Sequence, residues 1–130
     1  MASSEITLLR KRAREDLLVF AVEVLGMTKL RDEVHRPWAE LAMDWTIPRK
    51  LYLMPRGSMK SSLLVVAQTL WILIQNREVI PGTVGRDAKI LICSDSSNRA
   101  VDLLREIKRH ISRNRLFNKL FGNLKDRSLW

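Results

Sequence analysis

Residues 51–64 read LYLMPRGSMKSSLL: an apolar run, a short Pro/Gly/Ser turn, a lysine, two serines, then apolar residues again. KLYLM (50–54) is a short strand candidate bounded by Pro48 and Pro55. KSSLLVVAQTLWILIQN (60–76) is long enough for a helix and apolar almost all round, which predicts a helix buried on several sides. Strand, loop and helix in this order are the setting of a phosphate-binding loop, whose standard pattern is G-x-x-x-x-G-K-[ST]. Lys60 and Ser61 match its last two positions. Met54 and Met59 stand where the glycines belong, and the one glycine, Gly57, lies between them.

The chemistry of such a loop has three requirements. Backbone N–H groups curl round the phosphates, with a helix N-terminus pointing its positive end at them. A lysine reaches the outer phosphates, and a hydroxyl holds Mg²⁺. Gly57 permits unusual backbone angles, Ser58 is small, and Arg56 adds a second cation, whereas Met59 narrows the geometry allowed before the lysine. The competing reading is a strand–turn–helix corner with Lys60 and Ser61 in a solvated first turn. A lysine there opposes the helix dipole at a cost of roughly 0.3–1 kcal/mol, and a phosphate reverses the sign. The residues alone favour nucleotide binding.

The chain has 130 residues, enough for one small domain with a core. Its 23 Lys+Arg against 14 Asp+Glu give a net charge of +9. That balance suggests a polyanion partner, nucleic acid first and anionic membrane second; solvated cationic faces are the plain alternative. A single cysteine, Cys93, excludes an internal disulfide and fits a reducing compartment. The longest apolar stretch, Leu63 to Ile74, contains Gln68 and Thr69 and is too short to cross a bilayer. RKRARED before LLVFAVEVLG has a faint signal-peptide shape. Glu15, Asp16 and Glu23 interrupt it, so a cytoplasmic protein without a targeting segment is expected.

Residues 4–25 are expected to be helical, with Leu9, Ala13, Leu17, Phe20 and Val24 recurring at helical steps and Gly26 as the C-terminal cap. The run Arg10, Lys11, Arg12, Arg14 either contacts phosphates or forms a solvated face of this helix. DEVHRPWAELAMDW predicts a second helix, with Pro37 in its first turn and Trp38, Leu41 and Trp45 on one side. EVIPGTVGRDA reads as a loop and KILIC (89–93) as a second buried strand. SDSSN offers N-caps for a helix over about 98–114, with Val101, Leu104, Ile107 and Ile111 inward. Strand–helix–strand with continuous apolar strands implies a parallel pair joined by a crossover helix. Two strands are few for an α/β layer, and the chain ends KDRSLW; the sheet is therefore expected to continue beyond Trp130. Residues 1–49 form a helical segment, and 50–130 the first part of the α/β domain.

Taken together, DLLVFAVEVLG, HRPWAEL, KLYLMPRGSMKSSL, KILICSDSSNRAVDLLREIKRHISRN and LFNKLFG resemble the N-terminal ATPase part of the large terminase subunit of tailed bacteriophages. In that family the loop is often a deviant Walker A with an early arginine and a Lys–Ser/Thr end, which Arg56, Lys60 and Ser61 match. The resemblance implies an ASCE-type P-loop NTPase, a parallel sheet flanked by helices, that hydrolyses ATP to pump double-stranded DNA into a procapsid. It implies ATP and Mg²⁺ as cofactors. Pro55, Arg56, Gly57, Ser58, Met59, Lys60, Ser61 and Ser62 would form the nucleotide site. Within it Lys60 would hold the β and γ phosphates, Arg56 the outer phosphate and Ser61 Mg²⁺. CSDSSNRA resembles the coupling stretch after the second strand, with Ser94 and Ser96 at its tip; helix capping is their plain alternative. HRPWAEL resembles the segment that lies near the adenine, with His35 read as a packing or surface residue. The family's partners are the portal and procapsid, a small terminase subunit and further copies in a ring, in the host cytoplasm with no membrane.

The family's Walker B aspartates, catalytic glutamate and nuclease acids are expected beyond Trp130, since Asp44, Asp87, Asp95 and Asp126 are scattered. No metal cluster and no Ser/His/Asp or Cys/His constellation is visible in the sequence. Arg99, Arg105, Lys108, Arg109, Arg113 and Arg115 crowd the last predicted helix. Arg105 and Arg109 are its candidate DNA contacts, against an ion-paired solvated face. Two rival functions remain: another P-loop NTPase such as a helicase-like motor, or a non-catalytic basic nucleic-acid-binding domain with a decayed loop.

Overall fold

The computed structural model describes residues 1–122 and Leu124. The terminal KDRSLW, with Asp126, Leu129 and Trp130, lies outside the described residues. Helix α1 spans Ser3–Glu15. Asp16 then leaves helical geometry (φ −135°, ψ 112°), and its Oδ1 accepts the N–H groups of Leu18 at 2.8 Å and Val19 at 3.3 Å. An aspartate that can cap a new helix breaks the single helix expected over 4–25. α2 (Leu17–Val19) follows and widens into a π-helical turn, Phe20–Val24. The Asp16 Oδ2 also accepts from Arg36 at 2.7 Å, which ties this corner to α3 (Asp32–Met43).

α3 starts earlier than its proline suggests, so Pro37 sits in the second turn rather than the first, and the N–H it lacks would have reached Glu33. The face it buries is His35, Ala39 and Ala42, while Leu41 is exposed and Trp38 and Trp45 pack at the margin. The helix after the loop starts at Lys60, runs as π turns over Ser62–Ala67 and continues as α4, Gln68–Leu73. It is buried on more than one side: Leu63, Val66, Ala67 and Leu70 form one fully inaccessible face, and Trp71 and Ile72 are buried on others. α3, the π turn after α2 and α5 (Ser97–Arg113) all pack on it. Trp71 Nε1 donates to the Ala13 carbonyl at 3.0 Å, which joins this helix to α1.

The segment expected as a loop holds a small antiparallel hairpin, β1 (Glu78–Ile80) and β2 (Thr83–Val84), turned at Gly82 with φ +78°. Gly85 follows, where a Cβ would run into the Gln75 carbonyl oxygen, so only glycine fits. α5 matches its expected span, and the Ser96 hydroxyl accepts from the Arg99 N–H at 3.4 Å. Its inner face is shifted, however. Ile107, His110 and Ile111 are buried, whereas Val101 and Leu104 stay exposed and line an open cleft with Ile90, Leu91 and Ile92. α6 (Arg115–Phe121) is a separate helix capped by Asn114, whose Oδ1 accepts from Phe117 N–H at 3.0 Å. Phe117 stacks obliquely between Phe20 (centroids 6.2 Å) and Phe121 (5.6 Å) at the base of the core.

The parallel pair expected of 50–54 and 89–93 is not formed among the described residues, and the hairpin is the only sheet there. Neither segment makes a backbone–backbone hydrogen bond among the described residues. Burial nonetheless alternates along the first: Leu51 and Leu53 are exposed, Tyr52 and Met54 half-buried, the period of a strand. Leu91 in the second is 86% exposed.

The aromatic base gives a direct stability test. Phe117→Ala should destabilise the chain by about 3–5 kcal/mol in urea unfolding. A loss below about 1 kcal/mol would contradict this packing.

Candidate functional site

Pro55 to Ser62 run as one continuous turn from the 50–54 segment into the buried helix. Two residues have left-handed backbone: Gly57 at φ +77° and Met59 at φ +63°. For glycine this is free, while for methionine it costs roughly 1–2 kcal/mol. The reversal at Met59 aims the chain into the helix, and Leu63 N–H closes the first turn on the Met59 carbonyl at 3.0 Å. The N–H groups of Lys60, Ser61 and Ser62 donate to no protein acceptor among the described residues. They are the unsatisfied donors of a helix N-terminus.

The Lys60 side chain turns back into the loop, where its ammonium donates to the Met54 carbonyl at 2.8 Å and the Pro55 carbonyl at 3.4 Å. Those carbonyls offset the repulsion between the ammonium and the positive end of the helix. Arg56 and Ser61 are exposed, and their side chains have no partner among the described residues. Nothing lies within 4 Å of a Cβ placed on Gly57, so the outer side of the loop is open. The Ser58 hydroxyl is the opposite case: it is buried without a protein partner.

His35 is a packing residue, one of the two readings expected for it, and it also makes a contact with the loop that was not expected. It is 5% exposed and reaches from α3 to the loop. Its Nε2 donates to the Ser58 carbonyl at 3.0 Å, an oxygen that can only accept, and its Nδ1 meets the Arg31 backbone, 2.9 Å from the N–H nitrogen and 3.0 Å from the carbonyl oxygen. The ring also meets Trp38 edge-on, with centroids 4.8 Å apart. A signal was present in the sequence: His35, Ala39 and Ala42 lie on one helical face, and a polar group on a buried face needs a partner. On the approach to the loop, Lys50 lies 5.0 Å from the Trp45 ring centroid and burial lowers its pKa. Burial also raises the Tyr52 phenol, whose hydroxyl has no protein partner.

The other predicted site residues are not drawn to this loop by any hydrogen bond or ion pair among the described residues. Ser94 donates to Asp95 at 3.0 Å, and Ser96 caps α5. Arg105 pairs with Asp102 at 2.6 Å and Arg109 with Glu106 at 3.9 Å, both on the exposed side of α5. Among the described residues no group of three or more His, Cys, Asp or Glu side chains is placed to hold a metal ion, and no helix is long and apolar enough to cross a membrane. Comparison with protein families, with curated proteins and with solved structures finds no match to this chain.

The loop geometry predicts an inverted glycine effect at position 59. Met59→Gly should be more stable than Met59→Ala by about 1 kcal/mol, because only the alanine retains the left-handed penalty. The opposite order in thermal unfolding would contradict the backbone described here.

Proposed function

We propose that this chain is the nucleotide-binding part of a DNA-packaging motor of the terminase large-subunit type, built on an α/β P-loop plan. The observation that carries the reading is that one loop carries three free helix N-terminal N–H groups and a lysine whose ammonium turns back into that loop. That combination suits a phosphate: the anion would take the N–H groups and the lysine's charge together, and the dipole that opposes Lys60 would favour the ligand. The open side at Gly57 and the orphaned Ser58 hydroxyl fit such an occupant as well.

In this reading Lys60 and the loop N–H groups hold the β and γ phosphates of ATP, Arg56 faces the outer phosphate, and the Ser61 hydroxyl is a ligand of Mg²⁺. Bound nucleotide supplies the phosphoryl bond whose cleavage drives movement of double-stranded DNA into a procapsid. His35 holds the loop from below, and the resemblance of its segment to the family's adenine-side stretch agrees with that position. The water-activating carboxylate, the portal contact and the ring of copies belong to the larger assembly that the resemblance implies, working in the host cytoplasm.

A second reading is a basic nucleic-acid-binding domain whose loop has lost its ligand, and the methionine side chain beside Lys60 is the observation that favours it. Titration with Mg²⁺ and a non-hydrolysable ATP analogue separates the two. The motor reading expects saturable binding that Lys60→Ala removes while circular dichroism stays unchanged. A folded wild-type chain that binds no nucleotide would overturn it in favour of the second reading.

A further inference from the structure

One set of cations on this molecule forms ion pairs: Arg12 with Glu23, Arg36 with Asp16 and Asp32, Arg99 with Asp95, Arg105 with Asp102, and Arg109 with Glu106. A second group collects in one cleft of about 310 Å³ between α1 and the turn after α4, lined by Thr7, Arg10, Lys11, Arg14 and Arg77, with Glu15 as its single carboxylate. None of these four cations forms an ion pair among the described residues.

Two of the four are held in place. Arg10 donates through Nε to the Leu120 carbonyl at 2.6 Å, and Arg14 through Nε to the Ile74 carbonyl at 3.0 Å. Arg14 also stands over the Phe121 ring, 5.6 Å from its centroid. In each case Nε is spent on the anchor, and the terminal guanidinium nitrogens donate to no protein group among the described residues. This leaves an oriented fork without an acceptor, the form in which arginine binds phosphate oxygens. Burial first, and then the charge of Arg10, hold the Arg14 guanidinium below the usual arginine range. The helix C-terminus at Ile74 accounts for Arg14 alone. It does not account for Arg10, Lys11 and Arg77 beside it.

We infer that this cleft binds the phosphodiester backbone of a nucleic acid, with half-buried Arg10 and Arg14 as its floor and exposed Lys11 and Arg77 as its two walls. Exposed Lys11 and Arg77 leave the cleft open to solvent, which suits a ligand that extends beyond it rather than a small anion enclosed on all sides. It also moves the DNA contact expected on α5 to α1, because Arg105 and Arg109 already have carboxylate partners. The site shares no residue with the loop at 55–62, so its failure and that of the nucleotide reading appear in separate titrations.

The test is a DNA titration by fluorescence anisotropy over a series of salt concentrations, with short duplexes of unrelated sequence. Lys11→Gln combined with Arg77→Gln changes two exposed side chains that hold no part of the fold. It should weaken binding to every duplex alike and flatten the slope of log affinity against log salt by about two units, one per phosphate contact. Nucleotide binding should be unchanged. Arg105→Gln with Arg109→Gln should alter the slope by less than about one unit. The inference is overturned if the Lys11/Arg77 variant keeps the wild-type affinity and slope, or if the α5 variant loses more. It is equally overturned if inorganic tripolyphosphate binds in a Lys11- and Arg77-dependent way while duplex DNA does not, since the cleft would then be a small-anion site.

Discussion

The helix from Lys60 to Leu73 can be stable only where it is buried on several sides, and the rest of the molecule is arranged to bury it. Leu63, Val66, Ala67 and Leu70 exclude water completely along one face, and Trp71 and Ile72 carry the burial round other sides of the helix toward its C-terminus. α3, the turn after α2 and α5 must therefore all be present at once. Trp71 and Gln75 add polar ties, donating to the backbone of Ala13 and Arg14 respectively. A helix fixed in this way also has a fixed N-terminus. The loop before it hangs between that end and the His35 ring, and the ammonium of Lys60 is oriented by the Met54 and Pro55 carbonyls.

The cations differ in how they are held. A net charge of +9 says only that cations exceed anions. Their pairing is more informative. α5 carries many cations and answers several of them with its own carboxylates one turn away, which keeps the helix soluble at little energetic consequence. The loop at 55–62 and the α1 cleft have no such answer. In both, cations are held by backbone carbonyls, at Met54 and Pro55 in one and at Leu120 and Ile74 in the other. Carbonyls orient a cation without neutralising it, so each site keeps charge available for an external anion.

The helices were legible because their apolar residues recur at the right step. The span of α5 and the burial of the helix after the loop on several sides could both be read directly. The break at Asp16 could not, because Leu9 to Val24 keep an unbroken period across it; capping by one carboxylate overrides that pattern. The inner face of α5 was misjudged for a similar reason. Val101 and Leu104 have the periodicity of a buried face, but burial requires a covering element, and periodicity cannot say whether one is there. The same holds for KLYLM and KILIC, whose composition suits strands but whose backbone groups find no backbone partner among the described residues. At the site, Lys60 and Ser61 were visible by spacing. Met59's left-handed backbone and the His35 bond to Ser58 depend on tertiary geometry and have no local signature. The α1 cleft was half visible, as a basic run. Arg77, far along the chain, turns that run into a cleft.

The central claim is that the loop N–H groups at the start of the buried helix receive a phosphate. The most direct measurement is amide NMR of the ¹⁵N-labelled chain during addition of Mg²⁺ and a nucleoside triphosphate analogue. The account predicts large saturable shifts at Lys60, Ser61 and Ser62, with the amides of α5 from Asp102 to Arg109 unmoved. Saturable shifts confined to α1, α5 or elsewhere, with those three amides unchanged, would contradict it.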